Sequence, residues 1–151
     1  MIMDEIIIQR ENISPNEWNR PVENTDGFLA LPGRTLFLAG QVGWDEHEKF
    51  QSTELVPQFE QALKNIIAIV TKAGGKVENI CKLTCFCKDR DQYRASRKEI
   101  REIWKKNLDH HSPCMSMIFV TDLVEQSALI EIEATAVIPY SIQQGCFSIT
   151  A

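Results

Sequence analysis

No stretch of the chain approaches about 18 consecutive apolar residues, so no membrane-spanning helix is expected. A basic excess is also missing. Sixteen Lys and Arg stand against 21 Asp and Glu, a formal charge of −5, which argues against a protein that grips a nucleic-acid backbone. Small ligands stay open, because a pocket can be positive in an acidic protein. The start, Met1-Ile2-Met3-Asp4-Glu5, lacks the basic opening and long apolar core of a secretory leader. Five cysteines are an odd number without the spacing of a disulfide framework, which suits a reducing compartment. A cytoplasmic protein is expected. There is no C-x-x-C or H-E-x-x-H spacing, and neither a metal nor another cofactor is expected.

What is there fits one domain. A chain of 151 residues, 44% hydrophobic, is long enough to bury a core and short for two domains. A single unit over 1–151 is expected, with 140–151 as a C-terminal tail. Its clearest stretch is Pro57–Cys87. Phe59, Leu63, Ile66, Ile67 and Val70 recur at the helical period and form one apolar stripe. Ser52 or Thr53 can cap this helix, Pro57 fits its first turn, and Gly74 or Gly75 can end it. Cys81, Leu83, Cys85 and Cys87 then alternate with Lys82, Thr84, Phe86 and Lys88, as in a strand with two unlike faces. The cysteines read as small apolar residues under the helices.

The remaining elements are shorter. Ile6-Ile7-Ile8 reads as an edge strand and Glu17–Asp26 as an ordered loop around Trp18. Phe28–Leu31 and Thr35–Val42 read as strands, and the Pro32-Gly33 pair between them suggests a hairpin. Gly40, near the end of an apolar strand, marks a bulge or a close approach to its backbone. Asp89 or Asp91 can cap a second helix running to Leu108, with Tyr93, Ile100, Ile103 and Trp104 inward and Arg94, Arg97, Lys98 and Arg101 on solvated faces. His110, His111 and Cys114 lie together in a loop, but adjacent side chains diverge. Met115–Val120 and Ala128–Ile138 are the last strands. The latter places Ile130, Ile132, Ala134 and Ala136 on one face and Glu131 and Glu133 on the other. The order predicts an α+β fold, a mixed six-stranded sheet with two helices on one face. The helix-free face, with Phe37, Thr84, Phe86 and two carboxylates, suggests burial against other subunits.

Several of these segments resemble the reactive intermediate/imine deaminase family, also called the YjgF family. Leu38-Ala39-Gly40-Gln41 resembles its strand-end Ser-Gly-Gln, and Asn65–Val70 with Ala73-Gly74 and Lys76-Val77 its first helix and turn. Thr84 and Phe86-Cys87-Lys88-Asp89 resemble its Val-Phe-Val-Lys-Asp strand end. Ile130-Glu131-Ile132-Glu133-Ala134 resembles its C-terminal signature. The likeness spans about residues 26–138.

That resemblance implies a chorismate-mutase-like fold and a homotrimer with clefts between subunits, the Thr84/Phe86 side facing the trimer axis. It implies hydrolysis of enamines or imines, such as 2-imino acids or 2-aminomuconate-like compounds, to a keto acid and ammonia. Some family members carry ribonuclease or translation-inhibitor names. The family's water-handling glutamate corresponds to Glu131, and its substrate-binding positions to Phe28, Ala39, Gly40, Arg97, Cys114 and Met115. The family's Pro-x-Arg-Ser is here Pro113-Cys114-Met115-Ser116, so Met115 stands in place of the arginine that pairs with a substrate carboxylate. Arg34 or Arg97 is then the candidate substitute cation. The alternative to catalysis is a regulatory trimer that only binds a small ligand, an imine, enamine or carboxylate.

Overall fold

The computed structural model describes residues 11–15, 18 and 25–140. The expected strand at Ile6–Ile8 and the tail beyond Tyr140 lie outside them. Among the described residues lie six strands, β1 Glu11–Ile13, β2 Gly27–Leu29, β3 Gly33–Val42, β4 Ile80–Cys87, β5 Cys114–Phe119 and β6 Ile130–Pro139. The helices are α1 Leu55–Lys72, α2 Arg90–Ala95 and α3 Arg97–Leu108, with a 3-10 turn at Val77–Asn79. Four strands form one mixed sheet in the order β3-β6-β4-β5, in which only β4 and β5 run parallel. β1 and β2 form a separate antiparallel ribbon, so the expected single six-stranded sheet is corrected to a four-stranded sheet and a two-stranded ribbon. The fold is α+β, with helices packed on a mixed sheet.

The expected Pro32-Gly33 hairpin is corrected by this topology. β2 pairs with β1 through Phe28–Asn12, whereas β3 pairs with β6 from Gly33–Pro139 onward. The short link between β2 and β3 passes the chain from one sheet to the other. Its turn chemistry resembles a hairpin's, but both strands find longer-range partners.

α1 lies on the sheet through the stripe read from its period. Phe59, Leu63, Ile66 and Val70 are all buried. Its end is a Schellman motif. Gly74 N–H donates to Thr71 O at 3.0 Å and Gly75 N–H to Val70 O at 2.9 Å. Gly74 takes φ +87°, where a side chain would be strained. At the other end the N-cap is Glu54, without a side-chain cap, and Ser52 Oγ accepts from the Glu54 N–H at 3.0 Å. Gln58 is buried one turn into α1. Its amide donates to Ser52 O and Ser127 O, both at 3.0 Å, and its Oε1 accepts from Leu129 N–H at 2.8 Å. One side chain thus ties the loop before α1 to the start of β6.

The second helix is two. Asp89 caps α2 by accepting from Gln92 N–H at 2.8 Å, and the chain breaks at Ser96 before α3. The break lets Tyr93 meet Phe119 edge-on at 5.6 Å, while Trp104 stacks on Phe59 at 6.3 Å. Glu60 on α1 accepts from Lys106 at 3.0 Å and Lys64 at 3.2 Å. The Lys106 contact holds the Glu60 carboxyl below its ordinary range, and it pins α3 to α1.

The cysteine strand needs one correction. A register shift between Ile80 and Lys82 turns Ile80 inward and leaves Cys81 half-buried, so Cys85 and Cys87, but not Cys81, share the core face with Leu83. Burial pushes the Cys85 thiol up to about 12 and raises Cys87 as well. Both thiols stay protonated at neutral pH and shielded. A thiol-labelling time course should show Cys85 and Cys87 protected until the protein unfolds, with Cys81 and Cys114 modified first. Because the folded thiols hold their protons more tightly than an unfolded thiol near 9.0, stability is unaffected by them below that pH. It falls as pH rises from 9.0 towards about 12.

Candidate functional site

The helix-free face of the sheet carries the first candidate group. Along β6, Glu131, Glu133, Thr135 and Val137 alternate with the buried Ile132, Ala134 and Ala136 and so point away from the helices. Glu131 stands opposite Phe86 on β4 and Glu133 opposite Thr84. On β3, Leu38 pairs with Ala134 but Gln41 with Ile132, so three steps of β3 match two of β6. The extra residue is a bulge at Ala39-Gly40. Gln41 Nε2 donates back to Ala39 O at 3.2 Å.

The bulge has a consequence for Glu131. A Cβ built on Gly40 would overlap the Glu131 carboxylate, coming within 2.8 Å of Cδ and 2.9 Å of Cγ. The carboxylate is therefore seated on bare glycine backbone. Both readings of Gly40, a bulge and a close approach, hold at once. What approaches is the chain's own glutamate.

Met115 belongs to the other face. β5 runs parallel to β4 with Met115 beside Leu83 and Met117 beside Cys85, so both turn toward the helices. Cys114 and Ser116 stand beside Lys82 and Thr84 on the helix-free face, where Lys82 Nζ donates to Ser116 Oγ at 3.0 Å. Met115 lines an open cleft of about 800 Å³ between α3 and the start of β5, together with Arg97, Arg101, Tyr93 and Trp104. One edge of the cleft is fixed by His111. Its buried ring meets Ile80 O through Nε2 at 2.7 Å, and the His111 backbone N–H donates to Leu108 O at 2.9 Å. Thr25 Oγ1 donates to Ser112 O at 2.8 Å on the same side. His110, by contrast, is fully exposed beside Asp109. Among the described residues no cluster of three His, Cys, Asp or Glu could hold a metal ion.

Within the chain the expected site residues thus fall into four places. Ala39, Gly40 and Glu131 are together. Arg97 and Met115 are together, across the sheet from Glu131. Cys114 shares the face of Glu131 but sits two strands away on β5. Phe28 lines a small pocket with Cys81, Val137 and Pro139, near the far end of β6, roughly 20 Å along the strand from Glu131. Arg34 is exposed beside Ile138, at that same far end. Tyr93, Arg101 and Trp104 were not singled out as site residues from sequence. The signal was the spacing 97, 100, 101, 104, one face of α3.

Comparison with known proteins agrees with this architecture. A family model described as Endoribonuclease L-PSP matches residues 27–138. A RutC family protein of Pasteurella multocida is 35% identical over 105 residues, 70% of this chain and 81% of the relative. A 2-iminobutanoate/2-iminopropanoate deaminase of Homo sapiens is 31% identical over 108 residues, 71% and 75% of the two chains. Among solved structures, YyfB of Yersinia pestis, a Rid family protein described as of unknown function, superposes with a TM-score of 0.76 at 28% identity. The match covers 85% of this chain and 98% of that one. No helix of the described residues is long and apolar enough to cross a membrane. With the fold and the sequence match in agreement, the chain belongs to the Endoribonuclease L-PSP family, the reactive intermediate/imine deaminases.

Proposed function

We propose that the protein hydrolyses imines or enamines of small 2-keto acids, with Glu131 handling the water. The observation that carries this reading is the seating of the Glu131 carboxylate on the Gly40 backbone at the β3 bulge. Deaminases among the relatives support the reaction class. Water adds to the C=N carbon of an iminium while Glu131 takes its proton, giving a carbinolamine. Glu131 then returns that proton to the amine nitrogen. The C–N bond breaks, the hydroxyl becomes the keto oxygen, and its proton leaves with ammonia as ammonium. The sum is one iminium and one water to one keto group and one ammonium. A carboxylate within reach of the reacting water is what such proton transfer requires.

The working unit we propose is a homotrimer whose clefts lie between subunits, in a cytoplasmic setting. Two features support it. Phe37 on the helix-free face is 79% exposed and Ile118 on the same face is 43% exposed, an apolar surface that a second copy would cover. Glu131 and Met115 lie on opposite sides of their own sheet, so a site using both needs two protomers. Sedimentation should give three times the chain mass, and a monomer would refute the assembly.

Gly40→Ala tests the role of the bulge. The new methyl group would meet the far end of a flexible side chain, so Glu131 can swing aside and the fold should lose less than about 1 kcal/mol. Ammonia release from an enzymatically generated 2-imino acid should nevertheless fall by at least about tenfold, because the carboxylate has been moved. Unchanged turnover in a folded variant would remove Glu131 from the mechanism as drawn.

A further inference from the structure

We infer that the cleft between α3 and the start of β5 binds an aromatic monocarboxylate, with Arg97 and Arg101 meeting the carboxylate and Trp104, Tyr93 and Met115 the ring. The cleft is about 800 Å³, which lies within the range of small-molecule sites. Arg97, Ile100, Arg101 and Trp104 occupy i, i+3, i+4 and i+7 of α3 and so line one wall. The two guanidiniums are one turn apart. Neither makes an ion pair among the described residues, whereas the nearby Lys105 has Glu102 at 3.9 Å. A planar carboxylate fits the donor fork of either guanidinium.

The body of the ligand follows from the rest of the wall. Trp104 is half-buried, its plane fixed by stacking on Phe59, and Tyr93 is held against Phe119. Arg97 acts electrostatically on the Tyr93 phenol, so cation and ring share one end of the cleft. Rings already held in place lose little freedom when a flat ligand lies on them. Met115 adds a polarizable side chain suited to an aromatic edge. The charge balance limits the anion. Asp26 and Asp109 line the cleft against Arg97, Arg101 and Lys105, a formal excess of one positive charge, which a single carboxylate matches and a multiply charged phosphate ester exceeds.

This rests on the hydrolysis reading, whose proposed site includes Met115, and names the acid that this side of it takes. Binding is measured without turnover, so a failure to bind is told apart from a failure to hydrolyse. The test is calorimetric titration of the full chain with 3-phenylpropanoate, with its uncharged amide and with propanoate. The acid should bind at least about tenfold more tightly than either, and more weakly as salt rises. The exposed double substitution R97Q/R101Q should remove that preference for acid over amide while the melting temperature holds. Equal binding of acid and amide, no detectable binding of the acid at millimolar concentration, or an unchanged preference in R97Q/R101Q would overturn the proposal. The first two results use only the unaltered protein, so a folding defect in the variant cannot mask them.

Discussion

Glu131→Gln should lower the rate of ammonia release by about 10²- to 10⁴-fold, the usual worth of a positioned general base. Glutamine keeps the shape of the side chain and its perch over Gly40, so the bulge has no reason to rearrange. It loses only the ability to take a proton from water. Glu131 is half-buried and among the described residues forms no salt bridge, so the swap leaves no opposite charge stranded. Stability should change by less than about 1 kcal/mol, measured by urea denaturation. A matched loss of activity and stability would instead assign Glu131 a structural role. The neighbouring Glu133 provides the contrast. It shares the face but is more exposed and stands beside Thr84 rather than over the glycine. Glu133→Gln should leave turnover within about twofold.

Met115→Arg should raise kcat/KM for the smallest 2-imino acids by roughly 10- to 150-fold. A thioether offers a carboxylate no charge and only weak acceptor character, whereas a guanidinium offers a bidentate, charge-assisted pair. Such bonds contribute about 1.5–3 kcal/mol, which sets the stated range. The site can take the change because Met115 is 42% exposed and already opens onto the cleft. The gain should shrink for large apolar substrates, which lose a favourable contact with the methionine. If small and large substrates respond alike, Met115 does not set the preference. If neither responds, the carboxylate is held elsewhere, and Arg97 and Arg101 line the same cleft.

Much of this architecture is written in periodicity. The stripe of α1, the alternation of β6 and the inward Cys85 and Cys87 follow directly from spacing, because each element must bury one face. The Gly74-Gly75 pair marks the end of α1, and the structure gives the left-handed position to Gly74. Other features depend on partners distant in sequence. Pro32-Gly33 looks like a hairpin, yet β2 and β3 belong to different sheets, and no local signal distinguishes a turn from a crossing between sheets. The shift at Cys81 is likewise invisible, since alternation continues on either side of it and only the register with Ala136 reveals it. The break at Ser96 interrupts a pattern that reads as one helix.

The candidate site divides in the same way. Gly40 and Glu131 were each legible as unusual, one as a glycine in an apolar strand and the other as a carboxylate on a strand face. Their contact was not, because it depends on one extra residue in β3 opposite a strand about ninety residues later. The cleft was hidden by charge. Arg97 and Arg101 sit among other lysines and arginines and look like a solvated surface. Only the packing of α3 against β5 shows that these two share a wall with Trp104 and Met115.

The central claim is that this chain catalyses imine hydrolysis. The most direct measurement is ammonia release from 2-iminopropanoate and from its phenyl-substituted counterpart, each generated in place by an amino-acid oxidase, with the purified protein at a small fraction of the imine concentration. The account predicts a rate above the uncatalysed one that grows in proportion to the protein added, for at least one of the two imines. A rate equal to the uncatalysed one for both, from protein shown to be folded and assembled, would contradict it.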